Sequence, residues 1–144
     1  GLARAGGIPV SRVDEVLELV DLTDVARRRV VDFSLGMRQR LGIAAALLGD
    51  ARTLVLDEPV NGLDIDGIRW LRTLLRSLAD EGRSLLIASH HLDEVARTAD
   101  RVVVLDSGRV AADAPVDEFV GAHADLEEAY LSAVSRPRSA GVPR

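Results

Sequence analysis

Residues 53–64 read TLVLDEPVNGLD. An apolar run ends in two adjacent carboxylates, Asp57 and Glu58, followed by a proline and a glycine-containing turn. Neighbouring anions repel one another and resist desolvation. Their place at the end of an apolar run therefore points to a cation or a reacting group nearby. TLVLD itself predicts a short buried strand, because its apolar residues are consecutive rather than alternating.

Downstream, SLLIAS predicts a second buried strand and RVVVLD a third, with Ser107-Gly108 turning the chain into RVAAD. Between the first two strands, GIRWLRTLLRSLADE carries Ile68, Leu71, Leu74, Leu75 and Leu78 at helical spacing, with Asp66 as its expected cap and Gly82 as its end. LDEVARTA predicts a short helix before the third strand. Upstream, SRVDEVLELV places Val13, Val16, Leu17 and Val20 on one helical face with Ser11 as cap, and DVARRR predicts a short helix. The stretch 35–48 is helical by pattern, with Leu41, Ala44, Ala45 and Leu48 on one side and Gly49 as its stop. Strands alternating with helices predict an α/β fold with a mainly parallel sheet flanked by helices, its ligands gathered at the carboxyl ends of the strands. Two small helical pieces, VDEFVG and DLEEAYLSAV, follow Pro115, and the Pro-, Gly- and Arg-rich end predicts disorder.

A chain of 144 residues can bury one core, and 47% hydrophobic content places it among folded proteins. No apolar run approaches the ~18 residues that span a bilayer. Net charge is −5 with both signs interleaved, so no basic face tracks a phosphate backbone and nucleic acid is not an expected partner. Cysteine is absent, which removes thiolate chemistry and cysteine metal sites. All 18 Lys+Arg positions are arginine. Chemistry that needs a lysine ammonium must come from elsewhere.

Three elements carry candidate chemistry. Asp57 and Glu58 emerge at the carboxyl end of a strand, where Mg²⁺ bound by one carboxylate would offset their repulsion and leave Glu58 to orient and deprotonate a water. Taken alone, a solvated strand end explains the pair equally well. Ser34 and Gly36 stand at the start of a helix, whose unpaired N–H groups and dipole attract an anion such as phosphate; the alternative is that Ser34 only caps the helix. His90 follows the strand SLLIAS and would stand at the same sheet edge as Asp57, with His91 as a competing neighbour and His123 as a bystander.

In this order the segments resemble the ATP-binding cassette (ABC) ATPases. FSLGM looks like their signature segment, LVLDEP like the Walker B strand, NGLD like the D-loop and ASHH like the switch-histidine segment. The resemblance covers about Val13 to Asp113 and implies part of a P-loop NTPase domain with part of its helical signature subdomain. In that family two ATP molecules are sandwiched between paired subunits. Carried over, Ser34 and Gly36, with Met37 beside them, would meet the γ-phosphate of ATP held by the opposite subunit. Asp57 would hold Mg²⁺, Glu58 would be the catalytic base, His90 would contact the γ-phosphate, and Asp64 would lie at the dimer seam. Leu35 and Met37 depart from the strict LSGGQ form, as in exporters of the drug and antibiotic type.

The family's phosphate cradle, G-x-x-x-x-G-K-[ST], cannot occur in a lysine-free chain, and the only glutamine, Gln39, lies inside the signature helix, so the glutamine loop is missing too. The expectation is a C-terminal portion of a larger ATPase subunit, inactive alone, in which removing the cradle strand leaves two central strands without a neighbour. Its parts would be residues 1–49 as signature subdomain, 50–113 as the Walker B, D-loop and switch part of the core, 114–134 as a helical extension and 135–144 as a disordered tail. The resemblance implies ATP and Mg²⁺ as cofactors, a second ATPase subunit and an integral membrane permease as partners, and a cytoplasmic location on the inner face of the membrane. Export of a small molecule is the expected function. The alternatives are a truncated, non-catalytic remnant that binds a partner, and a soluble ABC ATPase of translation or DNA maintenance.

Overall fold

The computed structural model describes residues 6–135, which divide into one unit ending at His90 and another beginning at His91. In the first unit, helix α1 (Val10–Leu19) starts directly after Pro9, with no side-chain cap. Proline suits that position because its fixed φ and missing N–H do not disturb a first turn. Ser11, the expected cap, lies inside the helix instead. The segment expected as one short helix forms two 3₁₀ turns, Thr23–Val25 and Val30–Asp32. Arg27, Arg28, Arg29, Val30 and Val31 are all exposed, so a continuous helix there would bury nothing.

Helix α2 (Leu35–Leu47) buries Ile43, Ala44 and Leu47, and it packs on both α1 and strand β1 (Thr53–Asp57). Ala45, placed on the core face by spacing alone, is exposed. The chain leaves α2 through a left-handed residue that is Asp50 (φ 51°) rather than the expected Gly49. Helix α3 (Ile65–Asp80) carries the chain back to strand β2 (Ser84–Ala88), which pairs with β1 in parallel from Thr53↔Ser84 to Asp57↔Ala88. Leu71, Leu74, Leu75 and Leu78 of α3 join Leu54 and Leu56 of β1 and the buried residues of α1 and α2 in one core. The opposite face of the pair is not covered among the described residues: Val55 is 69% exposed and Leu86 60%. The strands are buried on one face only, which is why consecutive apolar residues misstate their burial.

The second unit contains helix α4 (Leu92–Thr98), strands β3 (Arg101–Asp106) and β4 (Arg109–Pro115), and helices α5 (Val116–Val120) and α6 (Leu126–Ser135). RVVVLD pairs antiparallel with β4 through a turn in which Ser107 (φ 50°) and Gly108 (φ 75°) both take positive φ, the geometry that matches strand twist in a two-residue hairpin. The strands form two two-stranded sheets, β1–β2 parallel as expected and β3–β4 an antiparallel hairpin through the turn expected at Ser107-Gly108. RVVVLD finds its neighbour in the next strand of the chain. The α/β class stands. Val102, Val116 and Leu126 centre a small core of their own. Apart from Ser135, which closes α6, the expected tail at 135–144 lies outside the described residues.

Asp50 ties the first unit together at one end. Its Oδ1 accepts hydrogen bonds from Arg83 Nη2 at 2.8 Å and from Arg12 Nη2 at 3.4 Å, while Arg12 Nη2 also donates to the Leu47 carbonyl at the end of α2. The hydrogen bond and charge of Arg83, then the charge of Arg12, hold the Asp50 carboxyl below the usual carboxylate range. A folded-state value below the unfolded one gives stability that is present above the unfolded value and lost as pH falls through the folded one. Asp50→Asn should therefore melt lower than the parent near neutral pH, with the gap closing as the pH drops below ~4. Thermal melts across that range check it; a gap that persists unchanged in acid would refute it.

Candidate functional site

Glu58 follows β1 directly and has left-handed backbone (φ 47°). That region costs a non-glycine residue ~1–2 kcal/mol and persists where neighbours over-determine it. Here they do. Its N–H donates to the Ala88 carbonyl at 2.9 Å, extending the β1–β2 pairing by one residue, and its carbonyl accepts from Asn61 N–H at 3.1 Å. The turn breaks strand alternation, so Glu58 does not project as the next strand residue would. Its Oε1 lies 2.7 Å from His90 Nδ1, and its Oε2 is buried and takes no hydrogen bond from the described residues. Buried polar atoms are nearly always paired, so an orphaned carboxylate oxygen beside an imidazole marks a place for a bound donor or cation. Asp57 closes β1 on its exposed face, at the same carboxyl edge of the strand pair. A carboxylate at the sheet's ligand-binding edge next to a second carboxylate with a free oxygen suits a hydrated Mg²⁺.

The start of α2 forms a second element. Ser34 is extended, and its Oγ accepts from Met37 N–H at 3.1 Å, so it does cap the helix. Capping uses one of the first-turn donors and leaves those of Leu35 and Gly36 without partners inside the helix. Residues 34–37 and Arg40 of α2 and residues 62–64 of the following loop line a cleft of about 400 Å³. A Cβ on Gly36 would stand 3.1 Å from the Gly62 carbonyl, so glycine there lets helix and loop close on each other. Asp64 is the N-cap of α3, its Oδ1 accepting from Gly67 N–H at 2.7 Å; Asp66, expected in that role, sits in the first turn instead. The chain enters α3 in extended conformation at Asp64, so its side chain alone can reach back to the first-turn amides.

Of the residues singled out by sequence, Glu58 and His90 come into direct contact, and Ser34, Gly36, Met37 and Asp64 line one cleft. Arg40 and Gln39 were not anticipated. Arg40, one turn beyond Gly36, brings positive charge to the cleft. Its guanidinium lies 4.2 Å from the Trp70 ring centre and donates to the Val20 carbonyl at 3.1 Å, while Trp70 Nε1 donates to the Leu19 carbonyl at 3.2 Å. The end of α1, the signature-like helix and α3 are thus joined by one arginine. The i, i+4 spacing from Gly36 was the available signal.

Comparison with known proteins gives a consistent result. Residues 4–96 match the family described as "AAA domain, putative AbiEii toxin, Type IV TA system". The chain is 40% identical over 135 residues to the uncharacterized ABC transporter ATP-binding protein YhcH of Bacillus subtilis (strain 168), a match covering 93% of the chain and 43% of that protein. It is 42% identical over 115 residues to the bacitracin transport ATP-binding protein BcrA of Enterococcus faecalis, covering 79% and 37% respectively. A solved ATP-binding subunit of an ABC transporter superposes with a TM-score of 0.76 at 28% identity, covering 92% of the chain and 58% of that structure. The chain spans about two fifths of the length of these curated relatives.

Proposed function

The chain belongs to the AAA-domain family, among the ATP-binding proteins of ABC transporters, and from that premise we propose that it supplies the signature, Walker B and switch parts of an ATPase subunit that powers small-molecule export through a separate membrane permease. The relative named for bacitracin transport supports a role in transport of a small molecule. Among the described residues no helix is long and apolar enough to cross a membrane, which fits a subunit that works on a permease from the inner membrane face.

The observation that carries the catalytic part is the 2.7 Å contact of Glu58 Oε1 with His90 Nδ1, beside a buried Oε2 that takes no hydrogen bond from the described residues. Glu58 holds its carboxylate fixed through Oε1 and accepts a proton from water at Oε2, which makes it the base. His90 orients that carboxylate and reaches the terminal phosphate with its second nitrogen. Asp57 would hold Mg²⁺, which when bound would supply charge neutralisation on the phosphate oxygens. In a pair of copies, the start of α2, where Ser34 and Met37 flank the first-turn amides of Leu35 and Gly36 that capping leaves open, would receive the γ-phosphate of the nucleotide held by the other copy, with Asp64 at the seam. These 144 residues contain no lysine to serve a phosphate cradle, which favours as second reading a non-catalytic, partner-binding chain.

Equilibrium binding of a fluorescent ATP analogue with Mg²⁺ separates the two. The chain joined to a lysine-bearing phosphate cradle is expected to bind the analogue at least ~10-fold tighter than the chain alone and to hydrolyse ATP. Equal affinity, with no turnover in either protein, would reject the ATPase reading.

A further inference from the structure

Gln39 lies one turn into α2, between the cleft at the helix start and the carboxylate of Glu58. Its Nε2 donates to the Glu58 backbone carbonyl at 3.2 Å. That oxygen already accepts the Asn61 N–H, so it would be satisfied without Gln39. The glutamine adds direction rather than satisfaction. It fastens the left-handed residue from a third side, the other two being the Ala88 carbonyl on β2 and the turn at Asn61. Relaxing Glu58 toward ordinary extended backbone would swing its carboxylate away from His90.

The same helix grips the same loop at a second point. Leu35 and Gly36 in the first turn of α2 abut Gly62, four residues past Glu58, so closely that a Cβ on Gly62 would run into Leu35 Cγ. Helix start and loop therefore move together, and Gln39 is where that body is bonded to Glu58 itself. We propose that Gln39 is a positioning residue that holds the Glu58 carboxylate against His90 and makes its placement depend on how the N-terminus of α2 is seated. This rests on Glu58 being the base. It assigns to one side chain the link between an anion seated in the cleft and the carboxylate that serves the other nucleotide.

The test compares Gln39→Met, which keeps length and volume but cannot donate, with Gln39→Lys, which restores a donor, in the chain joined to a lysine-bearing phosphate cradle. Gln39→Met is expected to lower kcat about tenfold with KM for Mg-ATP within about twofold of the parent, and Gln39→Lys to recover most of that loss. Equal losses in the two variants, a KM effect without a kcat effect, or unchanged kinetics would each overturn it. Independently of turnover, the ¹³C resonance of the Glu58 carbonyl should shift in Gln39→Met and return toward the parent position in Gln39→Lys; a resonance indifferent to both rejects the bond. A parent protein that hydrolyses no ATP refutes the base assignment and the catalytic part of this proposal, while the carbonyl shift still reports whether Gln39 orients Glu58.

Discussion

In the chain joined to a lysine-bearing phosphate cradle, exchanging Glu58 for glutamine is expected to reduce ATP turnover by ~10²–10⁴-fold if Glu58 is the base proposed above, the range over which a positioned general base contributes. Binding of Mg-ATP should stay near the parent level. Glutamine matches glutamate in shape and retains an oxygen that can accept from His90 Nδ1, now 2.7 Å from Oε1, so the left-handed turn and its bonds to Ala88 and Asn61 have no reason to change. What disappears is the ability to take a proton. The exchange also relieves repulsion with Asp57, which would if anything favour the nucleotide-bound, closed pair. Single-turnover and equilibrium-binding measurements on the same preparation discriminate: a variant that loses binding together with turnover would mean that Glu58 serves the metal or the fold, while one that keeps turnover would remove it from the chemistry.

Much of this site was legible because its signals are local. Asp57 and Glu58 end one strand and His90 follows another, and two strands joined through a single helix tend to pair side by side. The register Asp57↔Ala88 then brings residues 58 and 90 to one edge. The cleft was legible for a similar reason, since a serine and a glycine before an apolar helical run mark a helix start.

What failed was decided by distant packing. Five consecutive residues such as TLVLD look buried on both sides, yet burial depends on what lies over each face, and Val55 and Leu86 have no cover among the described residues. Asp64 and Asp66 are equivalent as caps on composition alone; the backbone entering α3 chooses between them. Gln39 and Arg40 gain their roles only from how α2 lies against the loop after β1 and against Trp70.

Gly62→Ala is expected to lower unfolding free energy by about 2–5 kcal/mol, for two separable reasons. Gly62 has φ 78°, where alanine costs ~1–2 kcal/mol relative to glycine. Its new Cβ would also run into Leu35 Cγ and lie 2.6 Å from Cδ2, an approach that forces the leucine out of its rotamer or pushes the loop from α2. The backbone part belongs to residue 62 alone, whereas the steric part needs Leu35. Leu35 is 65% exposed, so Leu35→Ala by itself should cost no more than about 0.5 kcal/mol. Combining the two should then restore the steric part and leave only the left-handed penalty, giving a favourable coupling of ~1–3 kcal/mol in a double-mutant cycle. Urea unfolding of the four proteins measures it. Strict additivity would mean that Leu35 moves aside without loss and that loop and helix start are not locked together; the coupling of Gln39 to the cleft would then have no mechanical basis. In the chain joined to a lysine-bearing phosphate cradle, a rescued double variant that also regains nucleotide turnover lost in Gly62→Ala would tie the lock to function, because Leu35 touches Gly62 on the wall of the cleft that the proposed function assigns to phosphate.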